Sequence, residues 1–120
     1  MSSVEAKKHG NDCLSASWLA ERFAVDPARI DAMRRGGELI AVRDEDSTGW
    51  VYPTWQLDGR EPRRVVPRIV HAARESGLDE TRLYDVLTAP LGLRGDRRLV
   101  DLILEGRDDE VVEAVRAAKP

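Results

Sequence analysis

Four side chains on one predicted helix have the types and spacing needed to read the sequence of a DNA duplex. In the major groove, arginine can bond guanine at two atoms, and alanine can touch the methyl group of thymine. Ala28, Ala32 and Arg35 lie on the face away from the inward-facing Ile30, with Arg29 to one side. The alternative is a solvated helix surface, because Asp31 on the other flank of this face would repel phosphate.

The residues around this helix are typical of a helix-turn-helix. Ser15 can cap the free amides of a first helix. Asp26 and Pro27 predict the start of the second, since a carboxylate suits the N-cap and proline loses nothing at the first helical position. Gly36-Gly37 ends it, because glycine accepts the left-handed conformation of a C-terminal cap. The link between the helices, residues 24–26, is as short as a helix-turn-helix requires.

A β-hairpin, or wing, is predicted next. Glu38–Val42 and Trp50–Pro53 are rich in β-prone residues and flank a polar loop that ends in glycine. Arg43 at the start of that loop is predicted to contact phosphate. The rest of the tip carries acidic residues, namely Asp44, Glu45 and Asp46. Insertion of this wing into a minor groove is therefore disfavoured.

Three aromatic residues lie in the second strand of the wing or just after it: Trp50, Tyr52 and Trp55. They could form a platform on which the bases of a single strand stack. Aromatic side chains at this density more often form the core of a small domain, and we favour that interpretation.

Residues 58–64 are a turn-rich connector and the most basic stretch of the chain. Its cations are Arg60, Arg63 and Arg64. They are predicted to lie along a phosphate backbone. A solvated boundary between two subdomains explains the same composition.

Residues 65–120 show four short amphipathic patterns typical of a helical domain. From Leu78 onward the chain has seven basic and ten acidic residues, which accounts for its whole net charge of −3. An acidic helical surface favours a protein partner over nucleic acid. The apolar side chains predicted to bind a partner, or to pair two copies of the chain, are Leu99, Leu102, Ile103, Val111 and Val115.

Composition excludes several classes of protein. A chain of 120 residues, 42% of them hydrophobic, can form one core or two small subdomains that share one. Its apolar runs are too short to cross a membrane, and residues 1–13 read as a polar tail rather than a signal peptide. The single Cys13 permits no internal disulfide and suits the reducing cytoplasm. Because no nucleophile–base pair, metal cluster or glycine-rich phosphate loop is present, we expect no enzyme, no cofactor and no metal.

Two segments resemble a known group of proteins. Residues 14–57, with Gly37-Glu38-Leu39-Ile40-Ala41-Val42 and Tyr52-Pro53-Thr54-Trp55-Gln56, resemble the front half of small actinobacterial winged-helix DNA-binding proteins and of antitoxin-like proteins of the Xre/MbcA/ParS group. The segments Leu87–Pro90, Gly95–Arg98 and Val100–Gly106 are similar to the C-terminal helical domain of those proteins. In the antitoxin branch that domain binds a toxin of the NAD-consuming RES type. The resemblance therefore implies a binding protein, with a toxin or another protein as a possible partner.

The expected fold is mainly α with a small β-hairpin: a winged helix-turn-helix over 14–57, a basic linker over 58–64 and a short-helix bundle over 65–120. The expected function is that of a bacterial DNA-binding transcriptional regulator that binds double-stranded DNA as a homodimer and has no membrane partner. The alternative is a protein-interaction module, an antitoxin or an adaptor, that has lost DNA binding.

Overall fold

The computed structural model describes residues 13–44, 49–92 and 97–120, which form helices and two small antiparallel sheets. The helices are α1 (Ala16–Phe23), α2 (Pro27–Arg35), α3 (Val65–Glu75), α4 (Glu80–Thr88), α5 (Leu99–Leu104) and α6 (Asp108–Ala117). The strands are β1 (Cys13–Ser15), β2 (Val42–Arg43), β3 (Trp50–Pro53), β4 (Leu57–Asp58) and β5 (Glu61–Pro62). The predicted fold class, mainly α with a small β component, is confirmed. No helix in the described ranges is long and apolar enough to span a membrane.

Helices α1 and α2 begin and end at the residues that the sequence indicates. The Ser15 hydroxyl accepts a hydrogen bond from the Trp18 amide at 3.2 Å, and Pro27 is the first residue of α2. Asp26 is at the N-cap of α2, but its side chain makes no cap hydrogen bond. Gly37, just beyond α2, has a φ of +82°, a conformation that glycine accepts without strain.

The sheet that contains the wing has three strands, one more than the predicted two. Its order is β1-β3-β2, with Leu14 opposite Tyr52 and Val42 opposite Val51. Cys13, predicted to lie in the N-terminal tail, is therefore a strand residue paired with Pro53. A three-residue strand has too few positions to show an alternating pattern, and its partner strand is distant in the sequence.

The predicted linker is also ordered. Strands β4 and β5 form a hairpin within residues 57–62, and Gly59 has a φ of +71° in its turn, as tight hairpins require. The Arg22 Nε group on α1 donates to the Gly59 carbonyl at 3.4 Å. This hairpin therefore lies against the helix-turn-helix rather than forming a loose boundary.

The buried side chains form two cores that meet at residues 39–41. Leu39 and Ala41 belong to the core of the helix-turn-helix and its sheet. Ile40, between them, belongs to the core of the C-terminal helices. In extended backbone successive side chains point to opposite sides, so this one segment contributes to both cores.

Gln56 fixes the backbone at this junction. Its side chain is fully buried, and its Oε1 accepts from the Ile40 amide at 2.6 Å while its Nε2 donates to the Ile40 carbonyl at 2.7 Å. The Nε2 group also donates to the Pro53 carbonyl at 3.0 Å. Because buried backbone groups need partners, Gln56 takes the place of a neighbouring strand.

The second core corrects one of the sequence-based predictions. The side chains predicted to bind a partner are all buried there, between 0% and 8% exposed: Leu99, Leu102, Ile103, Val111 and Val115. They pack against α3 and α4 of their own chain. The apolar stripes on α5 and α6 are therefore used within the chain, and the prediction that these five residues form a partner-binding surface is wrong.

Replacing Gln56 with leucine should destabilise the protein by about 2–4 kcal/mol, because it leaves two buried backbone groups of Ile40 without partners. Urea unfolding followed by circular dichroism measures this loss. The control Thr54→Ala alters a partly exposed neighbour and should change the free energy of unfolding by no more than about 0.5 kcal/mol. A Gln56→Leu variant as stable as the control would contradict the role given to this side chain.

Candidate nucleic-acid interface

The outer face of α2 is exposed and carries only small and cationic side chains. The exposed residues include the four singled out in the sequence: Ala28, Arg29, Ala32 and Arg35. Ile30 on the opposite side is fully buried and holds the helix against the first core. The structure therefore brings these four side chains together on a single surface, as predicted.

Asp31, which was expected to repel phosphate, forms ion pairs with two arginines. Its carboxylate lies 2.5 Å from Arg34 Nη2 and 2.9 Å from Arg35 Nη2. The hydrogen bond from Arg34, together with the charges of Arg34 and Arg35, holds the pKa of Asp31 below its usual value, although partial burial opposes the shift. The carboxylate is thus matched by positive charge, and Arg35 remains 68% exposed beside it.

Arg34 joins α2 to the wing, a role that the sequence analysis missed. Its side chain is only 14% exposed, and its guanidinium carbon lies 4.3 Å from the centre of the Trp50 ring. Arg43 on β2 lies against the same ring at 4.6 Å. Such cation–π contacts hold a guanidinium close to an aromatic face. Asp31 and Arg34 lie one helical turn apart in the sequence. This spacing indicates that the two side chains can pair.

These contacts also decide the role of the aromatic residues. Tyr52 and Trp55 are buried, one in each core, and the Trp55 ring stacks on Tyr84 with centroids 6.5 Å apart. Trp50 is partly exposed and in contact with two arginines. The three residues form no stacking platform for single strands, and the preferred interpretation of them as core residues holds for Tyr52 and Trp55.

The wing is less acidic at its base than the sequence suggests. Asp44 is 8% exposed, and its amide donates to the Gly49 carbonyl at 3.1 Å. Asp44 therefore presents little of its side chain to solvent. The other two acidic residues of the predicted tip, Glu45 and Asp46, lie outside the described residues.

Arg60 lies beside α1 in the turn of the β4–β5 hairpin. Together with Leu14, Trp18, Glu21, Arg22 and Gly59 it lines a shallow groove. Trp18 in this groove is 66% exposed, and the sequence analysis gave it no role. The hairpin thus carries one of the predicted phosphate-binding arginines onto the helix-turn-helix.

Arg63 and Arg64 do not join this surface. The Arg63 Nε group donates to the Trp55 carbonyl at 3.0 Å, which gives this side chain a structural role. Arg64 is exposed, but it lies with Arg63 beside Gly106 and Asp108, at the connection between α5 and α6. The three arginines of the connector, predicted to lie along a phosphate backbone, are therefore divided between two surface grooves.

Comparison with solved structures shows a similar fold. The NMR structure of Rv2175c matches this chain with a TM-score of 0.76 and 22% sequence identity, over 88% of this chain and 79% of that one. At this level of identity the likeness concerns the fold alone. No protein-family model and no curated protein matches the sequence.

The carboxyl group of Asp31 should titrate below the usual pKa of an aspartate, and Arg34→Gln should move its pKa back up. Because the pKa is lower in the folded than in the unfolded state, the interaction stabilises the fold above the ordinary pKa and is lost as the pH falls through the lowered value. Carboxyl carbon shifts in an NMR titration measure it. Arg29→Gln, at an exposed neighbour, is the control and should leave the titration unchanged; an ordinary pKa in the unmodified protein would refute the ion pair.

Proposed function

We propose that this protein is a transcriptional regulator that binds double-stranded DNA through α2. In this arrangement α2 lies in the major groove, with Arg29 and Arg35 toward base edges and Ala28 and Ala32 against the bases. Arg43 at the base of the wing and Arg60 beside α1 face phosphates on either side.

The exposed face of α2 is the observation that carries this proposal. A large apolar side chain there would be exposed to water and an acidic one would repel phosphate, whereas this face holds two small alanines and two arginines. The small alanines allow close approach to base edges. Asp31 is matched by Arg34 and Arg35, and Arg29 forms no ion pair with any described residue. The surface is therefore cationic although the whole chain has a net charge of −3.

The alternative, a protein-interaction module, retains the acidic surface of the C-terminal helices but not the apolar contact residues predicted for it. Its five predicted contact residues lie in the core of their own chain. A protein partner would have to bind elsewhere on the surface, whereas the DNA hypothesis keeps its four residues on α2. We therefore prefer DNA binding.

Arg29→Ala combined with Arg35→Ala should reduce binding to duplex DNA by at least about tenfold, because two cations are lost from the face that meets the phosphates. Fluorescence anisotropy with a labelled random duplex at about 50 mM salt measures the affinity, and binding should weaken steeply as salt is added. The matched control is Arg107→Ala with Arg116→Ala, which removes two exposed arginines from the acidic C-terminal region.

Two results would overturn the proposal. One is the absence of any binding to duplex DNA at about 50 mM salt, where electrostatic attraction to phosphate is strong. The other is an equal loss of binding in the control variant, which would show a general effect of charge rather than contact through α2.

We further propose that two copies bind one DNA site. A single small module makes few phosphate contacts and is expected to bind weakly at physiological salt, and paired helix-turn-helix units place their recognition helices one helical turn apart on the duplex. Sedimentation of the protein with a short duplex selected for binding should show two chains per duplex. One chain per duplex at saturation would contradict this.

A further inference from the structure

We propose that the cavity between α2 and the C-terminal helices binds a small zwitterion with a branched aliphatic tail, of the class of the branched-chain amino acids. The cavity has a volume of about 150 Å³ and lies where segment 39–41 meets α3 and α4. Ligand binding there would not use the proposed DNA contacts, since none of the four residues on the outer face of α2 lines the cavity.

The wall of the cavity is aliphatic. It is formed by side chains from segment 39–41, from α3 and from the region of α4, namely Leu39, Ile40, Ala41, Val70, Leu78 and Leu83. A closed apolar cavity of roughly this volume in another protein holds a molecule of the size of benzene. A branched chain of about four carbons fits the same space and would remove apolar surface from water.

Two arginines line the cavity, and one of them has no anionic partner among the described residues. Arg34 already pairs with Asp31. Arg74 donates through its Nη2 to the Arg35 carbonyl at 3.1 Å and has no carboxylate partner within the described ranges. The positive charge of Arg74 therefore favours an anionic group at the cavity.

Two acidic residues at the start of α4 complement the ammonium group of the same ligand. Asp79 and Glu80 line the cavity together with the arginines. One oxygen of Asp79 caps α4 by accepting from the Arg82 amide at 2.8 Å, which leaves its second oxygen for a ligand. Glu80 forms no ion pair with any described residue. A carboxylate without an amine would leave these two acidic residues without a cation, and an amine without a carboxylate would leave Arg74 without an anion. A zwitterion satisfies both.

The position of the cavity gives such a ligand contact with both halves of the chain. Arg34 belongs to α2, and its guanidinium also holds Asp31 and lies on Trp50. Arg74 of α3 holds the carbonyl at the end of α2. A ligand between them would therefore bind the second helix of the helix-turn-helix to the C-terminal helices.

Titration of the ¹⁵N-labelled full chain with L-leucine tests the proposal directly, without DNA. We expect saturable amide shifts in residues 39–41 and 78–83. 4-Methylpentanoate lacks only the ammonium group of leucine and isoamylamine lacks only its carboxylate, so each should bind at least about tenfold more weakly. Glycine lacks the aliphatic tail and should give no saturable shift in the same range.

Glu80→Gln should weaken leucine binding severalfold, because it removes one charge that faces the ammonium group. Glu80 is exposed, so the variant should fold; Glu61→Gln on β5, also exposed, is the matched control and should bind leucine normally. The proposal is overturned if leucine gives no saturable shifts at about 10 mM, if the shifts map away from the cavity, or if 4-methylpentanoate binds as tightly as leucine. These outcomes do not bear on DNA binding, which is measured separately with duplex.

Discussion

The pair of hydrogen bonds between the Gln56 side chain and the backbone of Ile40 is the contact on which the rest of the structure depends. Residues 39–41 place side chains in both cores, so their backbone runs through the interior, where its polar groups cannot reach water. One amide side chain satisfies a donor and an acceptor together. With the junction fixed, the core of the helix-turn-helix and the core of the C-terminal helices meet at residues 39–41 rather than belonging to loosely joined domains.

A second set of contacts fixes α2 relative to the base of the wing. Arg34 reaches Asp31 on its own helix and the ring of Trp50 on β3, and Arg43 contacts the same ring from β2. The second helix and the base of the wing are therefore tied together by charge and by aromatic contact. The outward arginines, Arg29 and Arg35, project from a helix that is anchored on its inner side by Ile30. Such anchoring reduces the ordering that binding would otherwise require.

Local signals in the sequence were sufficient for the helices but not for the short strands. The cap predicted at Ser15 makes its hydrogen bond, because capping depends on residues three apart in the chain. Helix α2 begins at the predicted Pro27, although the Asp26 side chain makes no cap hydrogen bond. Strand β1 has three residues, and strands β4 and β5 have two each. These lengths are too short for an alternating pattern to be visible. Their pairing depends on partners that the fold brings close. The same limit applies to the five apolar residues of α5 and α6, whose periodicity shows that one face is buried but not what covers it.

The sequence by itself determined the helix-turn-helix, its boundaries and the outward face of α2, since periodicity, capping and turn residues act over a few neighbouring positions. Tertiary structure alone decided which arginines belong to that surface. Arg60 is carried to α1 by a hairpin, Arg63 is held by the Trp55 carbonyl, and Arg34 is drawn inward by Asp31 and Trp50. The identity of a charged residue in the sequence does not show what surrounds its side chain. Whether the side chain faces solvent, a carboxylate or an aromatic ring depends on residues that only folding brings within reach.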